Sequence, residues 1–172
     1  MPTLVLDPQP VELAQLIERR RRLGQDLFDE VWEGVLHMNP APAGGHARVD
    51  QQVAEVLGAH AGAAGLTATG PFNLGESEDD YRVPDRGLHR DWIDRVRYPS
   101  AALVVEIVSP GDESYHKLGF YAAHGVDEVV IVDREERVVE WHRLLGQGYE
   151  RVVRSRLIEL GSADLEQQID WP

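Results

Sequence analysis

One acidic residue interrupts the most hydrophobic stretch of the sequence. Glu106 lies within residues 101–108, where the other seven side chains are apolar and predict a strand that is buried on both faces. Period-two alternation places it on the same face as Val104 and Val108. Burying an ionised carboxylate is costly unless it is paired, hydrogen-bonded or bound to a metal. Glu106 is therefore a core ion pair, a strand-end carboxylate that reaches solvent, or a metal ligand.

Two further residues could act together with Glu106. Asp85 directly follows a Val-Pro pair at a predicted strand end, although an aspartate after proline is also common in turns. Lys117 lies on a helix that is predicted to follow the Glu106 strand, and this helix could direct the ammonium group towards the strand end or leave it in solvent. The same helical face carries Ser114, Tyr121 and His124.

An aspartate, a glutamate and a lysine form a coherent chemical set. Two carboxylates can hold a divalent ion that keeps several of its waters, as Mg²⁺ prefers. The ion would lower the pKa of a bound water and neutralise a phosphate, and the lysine could orient that water or stabilise the transition state. Asp85, Glu106 and Lys117 therefore predict metal-assisted hydrolysis of a phosphodiester.

Hydrophobic periodicity predicts the elements that must position these residues. Helices are predicted over residues 10–24, from 46 to about 61 and from about 112 to 124. Strands are predicted over residues 28–31, 35–38, 66–74, 80–84, 101–108, 128–133, 137–145 and 149–160. The strand–helix–strand order between residues 101 and 133 indicates a crossover between parallel strands. The predicted fold is α/β or α+β, a mixed central sheet flanked by helices in a single domain over residues 1–172.

Composition restricts the function classes. The chain has 172 residues, and its 30 acidic and 17 basic side chains give a formal charge of −13, which argues against passive binding to nucleic acid. The absence of cysteine excludes disulfides and a thiolate nucleophile. No run approaches the roughly 18 apolar residues of a membrane span, and no signal peptide is evident. A cytoplasmic protein without a membrane partner is expected.

An ordered series of short motifs runs along the chain. The motifs occupy residues 29–36, 42–49, 83–85, 98–110, 117–121, 125–126 and 130–133. Together they resemble the Uma-type restriction endonucleases, a branch of the PD-(D/E)XK nuclease superfamily, over roughly residues 10–145. The resemblance implies a restriction-endonuclease-like fold and an endonuclease that depends on Mg²⁺, or on Mn²⁺ in its place. It favours DNA over RNA as the substrate.

The resemblance also implies roles for individual residues. Asp85 and Glu106 would be metal ligands, the backbone carbonyl of Ile107 a third ligand, Lys117 the catalytic lysine and Glu30 an auxiliary acidic residue. Many superfamily members carry the lysine two residues after the glutamate, where this chain has a valine. Asp85 is followed by Arg-Gly instead of an apolar strand residue. Other aspartates therefore remain alternatives to it, namely Asp79, Asp80 and Asp91.

Other functions remain open at this stage. The chain could be a catalytically inactive nuclease fold that binds nucleic acid or a protein partner, or a hydrolase of another phosphoester. A basic segment between the two predicted metal ligands could contact phosphates or be a charged surface loop; its members are Arg82, Arg86, His89, Arg90, Arg95 and Arg97. Trp92, in the same segment, could touch a ligand. A homodimer would suit the cleavage of both strands of a duplex.

Overall fold

Strands are more numerous than helices in the described part of the chain. The computed structural model describes residues 3–5, 10–109, 111 and 113–172. Within them the helices are α1 (Val11–Arg22), α2 (Gly44–Ala63), α3 (Leu118–Ala123) and α4 (Ser162–Glu166), and a 3₁₀ turn over Ser114–Lys117 leads into α3. None of these helices is long and apolar enough to cross a membrane.

Twelve described strands form two six-stranded sheets. The strands are β1 (Thr3–Val5), β2 (Glu30–Trp32), β3 (Val35–Met38), β4 (Thr67–Thr69), β5 (Asn73–Gly75), β6 (Tyr81–Arg82), β7 (Arg86–His89), β8 (Arg97–Tyr98), β9 (Leu103–Val108), β10 (Glu128–Asp133), β11 (Val138–Leu145) and β12 (Gly148–Val152). The central sheet has the order β12-β11-β10-β9-β7-β4, and the second sheet has the order β1-β3-β2-β6-β5-β8. The predicted mixed central sheet is confirmed, and the second sheet is an addition to it.

Strand β9 contributes buried side chains on both of its faces. Leu103, Val105 and Ile107 point into a cluster that the helix α2 covers. This helix buries side chains at four-residue spacing, the periodicity of one helical face, through Val49, Val53, Leu57 and Ala61. The alternate face of β9 carries Val104 and Glu106 towards α3. The predicted alternation of Glu106 is therefore confirmed.

The predicted crossover is present. Strands β9 and β10 are parallel, in a register that pairs Leu103 with Glu128 and Val108 with Asp133. The helix predicted over residues 112–124 is observed as the 3₁₀ turn followed by α3, and residues 110 and 112 lie outside the described residues. Gly125 ends α3 with a positive φ of 64°, and the next N–H donates to the Tyr121 carbonyl, which closes the helix.

Several short elements differ from the prediction. The strands predicted over residues 66–74 and 80–84 are observed as three separate strands of two or three residues, β4, β5 and β6. Strands β7 and β8 and helix α4 were not predicted, because such short polar segments carry little periodicity. The first helix is predicted from an apolar stripe of Leu13, Leu16, Ile17 and Leu23, of which only Ile17 is buried, whereas Leu16 and Leu23 are about half exposed.

Candidate active site

The carboxyl ends of β9 and β10 open into a cavity of about 270 Å³. Strand β9 contributes Glu106 and Ile107, and the segment before β7 contributes Asp85. Strand β2 contributes Glu30, and the 3₁₀ turn contributes Lys117. All five residues for which the sequence predicted a role therefore line one cavity, although they come from four separate segments.

Lys117 joins two of the predicted acidic residues. Its Nζ lies 2.8 Å from Glu30 Oε1 and 3.1 Å from both carboxylate oxygens of Glu106. The side chains are almost fully buried, and the Tyr121 hydroxyl donates a further hydrogen bond to Glu106 Oε1. The ammonium group therefore points back towards the strand, and it does not lie on a solvated face.

Glu30 is fixed by one residue of its own strand and by the residue that follows β6. The Val83 N–H donates to Glu30 Oε1 over 2.8 Å, and the Trp32 indole N–H donates to Oε2 over 2.8 Å. These bonds satisfy both oxygens of a buried carboxylate, as low solvent access requires. The bond from Val83 also ties β2 to the segment that leads from β6 to Asp85.

Asp85 is held by the central sheet and by α2. The Ile107 N–H donates to Asp85 Oδ2 over 2.7 Å, and His46 Nε2 lies 3.0 Å from Oδ1. His46 Nδ1 lies 3.2 Å from the Ser109 hydroxyl on the other side of the ring. Ile107 thus touches the site through its N–H in the described structure. Among the aspartates considered from sequence, Asp85 is the one that lines the cavity.

Charge is unbalanced in this cluster. Burial raises the pKa of Glu106; the Lys117 ammonium opposes this, and the Asp85 and Glu30 carboxylates add to it. Burial alone would lower the pKa of Lys117, but the surrounding carboxylates raise it above its ordinary value. Lys117 therefore stays protonated and leaves an excess of negative charge facing the cavity.

The donor set suits a small hard cation. No group of three or more His, Cys, Asp or Glu side chains in the described part of the chain is placed to hold a metal ion. Mg²⁺ does not need such a group, because it is usually bound by one or two carboxylates and retains waters. Asp85 and Glu106 provide two carboxylates beside a cavity large enough for several waters. The residues present fit the group that the sequence predicted.

The basic segment is mostly neutralised within the protein. Ion pairs join Arg82 to Asp80, Arg86 to Asp50, Arg90 to Asp127 and Arg97 to Glu78. The aromatic ring of Trp92 stacks on Tyr98, with centroids 5.2 Å apart, and remains about half exposed. Most of the charge that sequence alone could assign to phosphate binding is therefore already paired.

Arg134 is a cavity residue without a signal in the sequence, whereas His46 belongs to the motif over residues 42–49. His46 reaches Asp85 from the first turn of α2, and Arg134 enters the cavity wall directly after β10. The parallel pairing of β9 and β10 is the signal that could have found Arg134, because the carboxyl ends of parallel strands meet at one edge of a sheet.

Comparisons with known proteins identify relatives of the chain. The model of the family described as "Uma2: Putative restriction endonuclease" matches residues 12–168. A crystal structure of a "putative nuclease belonging to DUF820" from Anabaena variabilis ATCC 29413 is similar, with a TM-score of 0.67 and 18% identity over 81% of this chain and 90% of that chain. A cryo-EM structure of a DrdV–DNA complex has a TM-score of 0.37 and 18% identity over 58% of this chain and 9% of that chain. No curated protein matches.

Proposed function

The chain belongs to the Uma2 family, and on that premise we propose that it is a nuclease that cleaves DNA internally with the help of a divalent metal ion. The single observation that carries the proposal is the arrangement of Glu30, Asp85, Glu106 and Lys117 around one cavity. A carboxylate pair with an adjacent ammonium is the set that metal-assisted phosphodiester hydrolysis needs.

Each residue has a task that its contacts support. Asp85 and Glu106 would hold Mg²⁺, or Mn²⁺ in its place. The ion would supply a bound water of lowered pKa and would neutralise charge on the phosphate. Lys117, kept protonated by its carboxylate neighbours, would stabilise the negative charge that develops on the phosphoryl oxygens. Glu30 holds Lys117 in place over 2.8 Å.

Two other residues would orient the metal ligands. Tyr121 donates to Glu106 Oε1 and so restricts the rotation of that carboxylate. His46, in the first turn of α2, restricts Asp85 in the same way. Residues that support a ligand in this way commonly matter for metal affinity nearly as much as the ligand itself. Both act through another side chain and are positioning residues.

A direct assay tests the proposal. The purified protein is incubated with supercoiled plasmid, linear duplex, single-stranded DNA and RNA, in Mg²⁺, in Mn²⁺ and in chelator. We expect cleavage of plasmid DNA that chelator abolishes and that Asp85→Ala, Glu106→Ala and Lys117→Ala lose.

The other outcomes separate the alternatives. If the wild type is inert on every substrate, the catalytic proposal is wrong, and an inactive nuclease fold that binds a partner takes its place. Cleavage of RNA alone would reject DNA as the substrate. If all three variants cleave as fast as the wild type, the activity belongs to another site or another protein.

A further inference from the structure

One arginine in the cavity wall, Arg134, has no carboxylate partner among the described residues. Arg134 follows the last residue of β10 and lines the cavity that Glu106 and Lys117 also line. Its Nε donates to the Val108 carbonyl over 3.3 Å, which brings the base of the guanidinium to the carboxyl end of β9. The guanidinium makes no other hydrogen bond to a described residue, and the Arg134 side chain lines the cavity.

The turn that carries Arg134 is held in place. Asp133 Oδ1 accepts the N–H groups of Glu135 and Glu136 over 2.9 and 3.0 Å, so the backbone on both sides of Arg134 is fixed. The first turn of α2 approaches the guanidinium closely, because a Cβ on Gly45 would lie 3.0 Å from Arg134 Nη1. The side chain is thus positioned between two rigid elements.

Comparison with the other arginines shows that this one is unusual. Five further arginines of the described residues are buried or half-buried, and each has a carboxylate within 4.0 Å: Arg20, Arg82, Arg86, Arg97 and Arg143. Arg134 is half-buried as well, yet no carboxylate of the described chain lies that close to it. A partly desolvated guanidinium normally has an anionic partner.

The position of Arg134 indicates what that partner is. A guanidinium presents a rigid fork of N–H donors that matches two oxygens of a phosphate. Most other charged residues of the cavity are carboxylates, which would repel a polyanion. A phosphate would therefore be stabilised most where it contacts the cation of Arg134. We propose that Arg134 binds a backbone phosphate of the substrate next to the phosphodiester that is cleaved. This inference rests on the proposed function and adds a substrate contact to it.

Duplex binding tests the inference without depending on cleavage. Anisotropy of a fluorescent 20-base-pair duplex is measured with Ca²⁺ in place of Mg²⁺ at several salt concentrations, and a gel verifies that the duplex stays intact. Arg134→Ala should weaken binding about tenfold and lower the slope of log Kd against log salt by about 1. Arg134→Lys should restore part of the affinity, because it keeps the charge and loses the fork.

Arg137→Ala is the matched control. Arg137 belongs to the same turn, is exposed and does not line the cavity, so its removal subtracts the same charge at nearly the same place. Melting curves verify that each variant is folded. If Arg134→Ala binds like Arg137→Ala, or if the wild type binds no duplex, the inference is wrong. If Arg134→Ala alone is weakened while the wild type fails to cleave in Mg²⁺, the phosphate contact stands and the nuclease proposal falls.

Discussion

Lys117 determines the charge balance among the buried residues of the site. Its ammonium contacts Glu30 and Glu106, both almost fully buried. Replacing it in Lys117→Met would leave two buried carboxylates without a cation, a change that commonly costs about 3–5 kcal/mol. We expect the free energy of unfolding in urea, measured in chelator, to fall by about that amount.

The same substitution in a protein that also carries Glu106→Gln tests whether the loss comes from the unpaired carboxylates. In Glu106→Gln, Lys117→Met should cost clearly less, because only one carboxylate is then left unpaired. An equal loss in both backgrounds would mean that Lys117 stabilises the protein through packing alone.

His46 is expected to act on metal binding through Asp85. His46→Ala removes the partner of Asp85 Oδ1 and frees the carboxylate to rotate. The affinity for Mn²⁺, measured by calorimetry, should fall about 10- to 100-fold. His60→Ala, in the last turn of the same helix and outside the cavity, serves as the control. Equal affinities for the two variants would exclude a positioning role for His46.

The sequence located these residues better than it located their partners. Glu106 stands out because a charge interrupts an apolar strand. Asp85 was found because it lies at a predicted strand end, and Lys117 because its helix follows the Glu106 strand. The ion pair between Glu30 and Lys117, 87 residues apart, depends on how the two sheets meet, and no local pattern carries that information. The same reason explains why the arginines of the basic segment could not be recognised as paired.

Element prediction succeeded where a segment was long and periodic. Strand β9, helix α2 and the parallel β9–β10 pair follow from the hydrophobic pattern. Strands β5 to β8 have two to four residues each, and long-range pairing alone makes them strands. The face of α1 was misjudged because periodicity shows that a stripe exists and does not show what covers it.

Two glycines differ in the space that surrounds them for a larger side chain. Gly87 lies in β7, where a Cβ would overlap the Phe72 ring and lie 3.0 Å from His89 Nε2, whereas a Cβ on Gly58 in α2 meets nothing. Gly87→Ala should lower the free energy of unfolding by about 1–3 kcal/mol. Gly58→Ala should raise it by up to about 1 kcal/mol, because alanine favours helix. Denaturant unfolding of both variants tests this, and a loss in Gly58→Ala as large as in Gly87→Ala would contradict it.

The end of β7 should respond to acid through His89. Burial lowers the pKa of His89 below its ordinary value of 6.5, and the nearby Arg95 charge adds to the effect. The folded state then binds a proton at His89 less readily than the unfolded state. The contribution of His89 to stability is therefore complete above pH 6.5 and is lost as the pH falls towards the lowered pKa.

Melting temperatures test this response. Between pH 7.5 and 5.5 the melting temperature of the wild type should fall more than that of His89→Gln, because the glutamine at position 89 does not titrate. Parallel pH profiles for the two proteins would show that His89 does not take part.

The negative charge of the whole molecule and that of the cavity should affect DNA binding in opposite ways when metal is present. The formal charge of −13 argues against tight binding to DNA without metal, and four arginines of the basic segment are already paired within the protein. The acidic residues of the cavity are an exception, because a divalent cation between them and a phosphate would turn repulsion into attraction. Metal should therefore control substrate binding as well as chemistry.

The decisive measurement is the single-turnover rate of DNA cleavage in Mg²⁺ by the wild type, Asp85→Asn and Asp79→Asn. Both substitutions remove one negative charge from the same stretch of chain, but Asp85 lines the cavity and Asp79 is exposed outside it. We expect Asp85→Asn to slow cleavage at least about 100-fold and Asp79→Asn to stay within about twofold of the wild type. Equal rates for the two variants would contradict this expectation.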